Sequence, residues 1–195
     1  MKTLRCLAVL GSLWASVAGA ETPPAKPQAA PQGAPQGAPP MPRPAEEMKT
    51  LQFLTGKWKC AGTLTMAGAP GPTDVTATYT LKSDLNGFWL AGRMESPATR
   101  QNPMSHVEQD YWSFNPKTGG FQRTAFDSFG DTSHATATAW AGDTLQFTGN
   151  STAFGNEVPY ALGFTHQGDK GLLKINGTIG PADQPMVKVE YTCKK

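Results

Sequence analysis

From Gly56 to the C-terminus the chain alternates apolar and polar residues with a period of two. That is the period of a half-buried strand, not of a helix. Ten such runs stand out: 57–67, 73–83, 87–96, 106–115, 119–127, 132–141, 143–149, 157–167, 170–178 and 186–194. Turn chemistry separates them. Asn86-Gly87, Gly142-Asp143, Gly155-Asn156 and Gly168-Asp169 are tight hairpin signals, and Asn115-Pro116-Lys117-Thr118-Gly119 and Pro181-Ala182-Asp183 are longer turns. The alternation also sorts the faces. Trp58, Cys60, Gly62, Leu64 and Met66 share one side of the first run, and Val75, Ala77, Tyr79 and Leu81 one side of the second. In the third run Phe88, Leu90, Gly92 and Met94 oppose Trp89, Ala91, Arg93 and Glu95. Regularly spaced antiparallel strands of this kind build a sandwich or a barrel.

One segment departs from the period of two. Ala45–Leu54 reads as a short amphipathic helix, with Pro44 and Glu46-Glu47 at its start and Met48, Leu51 and Leu54 on one i, i+3 face, Phe53 close by. Such a helix would cap one mouth of a barrel.

The N-terminal forty-four residues have a different character. Lys2 and Arg5 precede an apolar stretch of 12 residues from Cys6 to Val17, and Ala18-Gly19-Ala20 follows. This is the layout of a secretory signal peptide cleaved after Ala20, too short for a membrane span. Cys6 precedes the apolar stretch and does not end it, which excludes the lipoprotein reading. Residues 21–44 hold nine prolines in 24 positions and repeat the tetrad Pro-Gln-Gly-Ala at 31–34 and 35–38. Such a composition cannot bury a core and reads as a disordered Pro-rich linker. The domain division expected is therefore 1–20 signal peptide, 21–44 linker and 45–195 barrel domain, in a secreted or periplasmic protein.

Charge narrows the partners. Loss of Lys2 and Arg5 leaves 15 Lys+Arg against 15 Asp+Glu. A chain near neutrality without a basic run has nothing to neutralise phosphates, so nucleic acid is not an expected partner, and no span crosses a membrane. The two remaining cysteines, Cys60 and Cys193, lie on the first and last runs. In an exported chain they are expected to form a disulfide that joins those strands and closes the sheet.

Leu54-Thr55-Gly56-Lys57-Trp58 at the start of the first strand, after a short helix, resembles the Gly-x-Trp opening of the calycins, which include lipocalins and fatty-acid-binding proteins. Leu85-Asn86-Gly87-Phe88-Trp89-Leu90 and Tyr111-Trp112-Ser113-Phe114-Asn115-Pro116-Lys117-Thr118-Gly119 extend the likeness to a bacterial lipocalin-like family of unknown function and, more distantly, to nitrobindins. The resemblance implies an all-β, antiparallel up-and-down β-barrel of about ten strands with a short N-terminal capping helix. It also implies a non-catalytic protein that binds a small apolar or amphipathic ligand without a cofactor. Where nitrobindins carry Gly-x-Trp-x-Gly-x-Gly, Cys60 replaces the middle glycine. Their haem-bearing histidine lies late in the barrel, and the last histidine here is His166. In such barrels Trp58 closes the floor beneath a basic side chain, for which Arg93 and Arg123 are the candidates. Trp58, Tyr79, Arg93, Tyr111 and Arg123 form the expected ligand-binding set. An inward arginine implies a ligand carboxylate or an internal acid such as Glu95 or Glu190; Lys188 also lies within a strand.

Two polar constellations remain. His106, Glu108 and Asp110 alternate on one face of the fourth run, with Trp112 and Phe114 continuing it. They read as a polar stripe more readily than as a metal site, for which the spacing is loose. Asp127, Asp131 and His134 flank the turn Ser128-Phe129-Gly130. A His–carboxylate pair there would suit acid–base work, but turn aspartates are ordinary turn formers. An alternative to ligand binding is an interaction module, a filled barrel carried on the Pro-rich spacer; the resemblance to nitrobindins leaves a haem-binding barrel as the third and weakest reading.

Overall fold

The computed structural model describes residues 41–153 and 155–195. The expected signal peptide and nearly all of the expected Pro-rich linker lie outside the described residues. Eleven strands follow a 3-10 helix at Glu46–Leu54. They are β1 (Gly56–Met66), β2 (Thr73–Asp84), β3 (Trp89–Ser96), β4 (His106–Asn115), β5 (Gly120–Asp127), β6 (Thr132–Ala137), β7 (Trp140–Ala141), β8 (Thr144–Ala153), β9 (Asn156–Gln167), β10 (Leu172–Ile179) and β11 (Val187–Lys194).

All pairings are antiparallel, in the order β6-β5-β4-β3-β2-β1-β11-β10-β9-β8-β7, and β6 also pairs with β8. That last pairing closes a ten-stranded barrel, with β7 as a short extra strand on β8. First and last strands are neighbours, Cys60 lies directly opposite Cys193, and the two form a disulfide with Cα atoms 4.0 Å apart. The β6–β8 seam is only four residue pairs long. It depends on Gly149, where a Cβ would stand 2.0 Å from the His134 carbonyl oxygen. Glycine permits the close backbone approach that such a seam needs.

One expectation changes in detail. The run 132–141 is broken at Thr138-Ala139 into β6 and β7, and Trp140 of β7, paired with Leu145 of β8, also meets the helix. Its ring packs on Phe53 at 5.5 Å and its Nε1 donates to Thr50 Oγ1 at 3.3 Å. The helix is a 3-10 helix. Its buried residues Met48, Leu51 and Leu54 recur every third position. Three residues per turn aligns them in one row, whereas an α-helix would rotate each away from the last.

The helix plugs one end of the barrel. Trp58 Nε1 donates to the Leu54 carbonyl at 2.7 Å, and Lys195 Nζ donates to the Phe53 carbonyl at 2.8 Å. Lys195 Nζ also stands 4.9 Å over the Trp58 ring. The cation above that indole is thus the penultimate strand-end lysine's C-terminal neighbour, not Arg93 or Arg123. Above the plug, Trp112 packs on Phe147 and Phe164 at 5.0 and 4.6 Å, filling the middle of the barrel. Each fully buried side chain of this size contributes about 1.5–3 kcal/mol of burial free energy.

Candidate functional site

The other half of the barrel is hollow. A cavity of about 540 Å³ begins above the filled middle and opens at the mouth opposite the helix. Its apolar wall comes from the same alternation that builds the core: Leu64 and Met66 of β1, Met94 of β3, Leu162 of β9, Ile175 and Ile179 of β10, and Val187 and Val189 of β11. In the filled part Trp112, Phe147 and Phe164 meet one another ring to ring. Around the cavity these aliphatic residues stand beside Tyr160 and Tyr191.

A buried polar cluster lies at the inner end of the cavity. Arg123 of β5 is its centre, with 1 % of its side chain exposed. Its Nε donates to Asp110 Oδ2 at 2.9 Å, and its Nη1 donates to Tyr160 Oη at 2.8 Å and to Ser133 Oγ at 3.5 Å. Its Nη2 lies 2.7 Å from Asp110 Oδ2 and donates to Glu108 Oε1. Tyr79 Oη and Trp112 Nε1 also donate to Asp110 Oδ2, at 2.7 and 2.9 Å. The other oxygen of Asp110, Oδ1, is buried without a hydrogen-bond partner among the described residues. It fits against β3 only because position 92 is glycine: a Cβ there would stand 1.9 Å from it.

Burial sets the electrostatics of this cluster. It pushes the Tyr79 phenol well above its ordinary value, with the Asp110 charge adding to the rise, and it pushes Tyr160 up against the pull of Arg123. Burial likewise raises the Glu108 carboxyl, and the neighbouring Arg123 offsets only part of that. Burial disfavours the Arg123 charge, but Glu108, Tyr160 and Asp110 outweigh it and hold the guanidinium firmly protonated.

Nearer the mouth, His106 Nε2 is 3.3 Å from Asp127 Oδ2, and the imidazole stacks on Phe129 at 5.4 Å. Asp127 Oδ1 accepts the Phe129 and Asp131 backbone N–H groups at 2.9 and 3.0 Å, which ties the turn 128–131. Phe129 and Met104 stand half-exposed at this rim.

The sequence-expected residues separate into three groups. Tyr79 and Arg123 reach the cavity wall. Trp58 lies at the plugged end, in the core. Arg93 and Tyr111 are on the outside of the barrel: Arg93 Nε pairs with Glu95 at 2.8 Å, and Tyr111 meets Trp89 edge-to-face at 6.5 Å. Glu190 is likewise outside, 3.0 Å from Lys188. The acids that compensate the inward arginine are therefore Asp110 and Glu108, not Glu95 or Glu190. The stripe His106-Glu108-Asp110 does face inward, and no group of three or more His, Cys, Asp or Glu among the described residues is disposed to hold a metal ion. His134 is exposed and bonds Thr124 Oγ1, so the histidine paired with Asp127 is His106. His166 stacks on Phe53 at 4.0 Å at the plugged end and does not line the cavity. Tyr160, Ser133 and Gly92 escaped the sequence reading. The one available signal was parity, which places Tyr160 on the same face as Leu162 and Phe164.

A family model described as "Protein of unknown function (DUF1579)" matches residues 43–160, more than half of the chain. No curated protein matches. Among solved structures, the crystal structure of Rv2717c from M. tuberculosis is similar with a TM-score of 0.61 and 13 % identity, over 78 % of this chain and 98 % of that one. At that identity the likeness concerns the fold alone.

Proposed function

The chain belongs to the DUF1579 family, and from that premise we propose that it is a non-catalytic, lipocalin-like barrel that binds a small apolar or amphipathic molecule. The observation that carries the reading is the cavity of about 540 Å³ with an aliphatic wall, a polar inner end and an open mouth. Its size falls within the range of about 300–1,000 Å³ of small-molecule sites, and its few convergent polar groups match their usual make-up. A barrel serving only as a scaffold gains nothing from leaving half its interior hollow, since unfilled apolar space costs packing energy. The polar groups that reach the cavity are bonded to one another, which suits a fixed recognition surface. The binding of the molecule would take place outside the cytosol: the disulfide is consistent with an oxidising compartment, and no helix of the described residues is long and apolar enough to cross a membrane.

The test uses the neutral apolar fluorophore N-phenyl-1-naphthylamine. Its emission is expected to rise on binding the purified chain, and Leu64→Trp, which places an indole in the cavity from a half-buried position, is expected to weaken that binding about tenfold or more. Unchanged emission with the wild-type chain, or equal binding by a Leu64→Trp chain that melts normally, would contradict the proposal.

A further inference from the structure

The reading above leaves open which polar head the ligand brings, and the charges around the cavity bear on that. A carboxylate head, as on a fatty acid, needs a cationic donor with surface to offer. Arg123 is the strongly basic side chain at this cavity, and it offers none. All three of its nitrogens are engaged by Asp110, Tyr160, Ser133 and Glu108. Acids, by contrast, are in surplus. Glu108 and Asp127 line the cavity, and Asp110 lies behind Arg123. The first two retain surface, 21 % of the Glu108 side chain and 18 % of Asp127. A head group arriving along the aliphatic wall of Met94, Leu162 and Val189 therefore finds Glu108 and Asp127 in the cavity lining, and the Arg123 guanidinium there already engaged.

Resting on the cavity-binding reading, we propose that the ligand class is an amphipathic organic cation, with an ammonium head against Glu108 and its apolar body along the β3–β9–β11 wall. A lone carboxylate in this position would be repelled by three acids at short range in a medium of reduced dielectric, where like charges repel far more strongly than in water. An ammonium supplies what the site lacks: a donor, and a charge that compensates Glu108 without competing for Arg123.

The arrangement has a pH signature. Glu108 is faced by Arg123 and Asp127 of β5, by Asp110 and His106 of its own strand, by Tyr79 of β2, by Tyr160 of β9 and by Tyr191 of β11. Burial holds its carboxyl above the ordinary range. A bound cation favours the ionised form, so binding releases a proton and tightens as pH rises through the Glu108 titration. A carboxylate ligand would show the reverse.

Three chain-matched probes decide the matter: dodecylammonium, 1-dodecanol and dodecanoate, titrated calorimetrically into the purified chain below their aggregation concentrations near neutral pH. Dodecylammonium is expected to bind about tenfold or more tighter than dodecanoate, with dodecanol between. Glu108→Gln keeps the shape and a hydrogen-bond acceptor for Arg123; it is expected to remove most of the cation's advantage while changing dodecanol affinity less than about threefold. Asp127→Asn, at the mouth, is expected to reduce the advantage by a smaller factor, and it serves if the first variant does not fold. Dodecanoate binding as tightly as dodecylammonium would overturn the inference and leave the cavity reading intact. So would a cation preference that both variants leave unchanged. Failure of all three probes to bind would overturn the cavity reading and this inference with it.

Discussion

Replacing Arg123 by methionine is the sharpest probe of the polar cluster, because it keeps the volume and removes the charge. Asp110 and Glu108 would then lie against the barrel interior without their counter-ion, and Asp110 Oδ2 would lose one of its three hydrogen-bond donors together with the Nη2 ion-pair contact. Breaking a buried ion pair by removing one partner costs about 3–5 kcal/mol. A domain of this size has a stability of about 5–15 kcal/mol, so the loss is a large part of the whole. At about 2–4 °C per kcal/mol it lowers the melting temperature by about 6–20 °C. The sign of the pH dependence follows from Glu108. Its carboxyl is raised in the folded protein by burial, so the stability it contributes is fully present below the unfolded value of about 4.3 and is lost as pH rises through the folded value. Arg123 is the neighbour that pulls that value down. Without it the rise is larger, and the gap between wild type and variant widens from acidic to alkaline pH. Melting followed by near-ultraviolet circular dichroism at several pH values measures this. Arg93→Met is the control, because Arg93 and Glu95 are about half exposed on the outer surface and such pairs contribute at most about 1 kcal/mol. A loss under about 2 °C in Arg123→Met, constant with pH, would refute the counter-ion role.

Three further outcomes are expected. Peptide mapping without reductant should recover Cys60 and Cys193 linked, and the double alanine variant should lose about 2–5 kcal/mol in urea unfolding, since the bond spans 133 residues of sequence. Gly92→Ala should lose about 1–3 kcal/mol even though alanine is ordinarily the better strand residue, because its Cβ would meet Asp110 Oδ1 at 1.9 Å and the Tyr79 ring at 2.9 Å; a neutral or stabilising result would show that Asp110 moves freely. Leu51→Ala should cost about 2–5 kcal/mol and speed amide exchange across Glu46–Leu54, as the plug loses a side chain that is almost wholly buried.

Strand boundaries were legible because alternation and turn residues are local. β4, read at 106–115, runs His106–Asn115, and most other boundaries agree within two residues. The exceptions have tertiary causes. The run 132–141 is interrupted at Thr138-Ala139, with Trp140 packed on a helix ninety residues upstream in sequence, and β8 extends to Ala153 because β9 offers it a partner through Asn156. The helix is where the i, i+3 face of Met48, Leu51 and Leu54 places it, and that three-residue spacing suits its 3-10 form.

The site divides in the same way. By itself the amino-acid sequence determined the all-β class, the pairing of Cys60 with Cys193, and the shared face of His106, Glu108 and Asp110, since each follows from residue spacing along one strand or from the two cysteines that lie outside the expected signal peptide. Only the tertiary structure decided that Arg123 points inward and Arg93 outward, that Lys195 covers Trp58, that Asp127 meets His106 and that half the barrel is hollow. Those facts depend on cross-strand register and barrel closure, which bring β4, β5, β6 and β9 around one arginine. A period of two gives each strand its two faces, but the volumes that meet across the barrel axis come from ten strands at once.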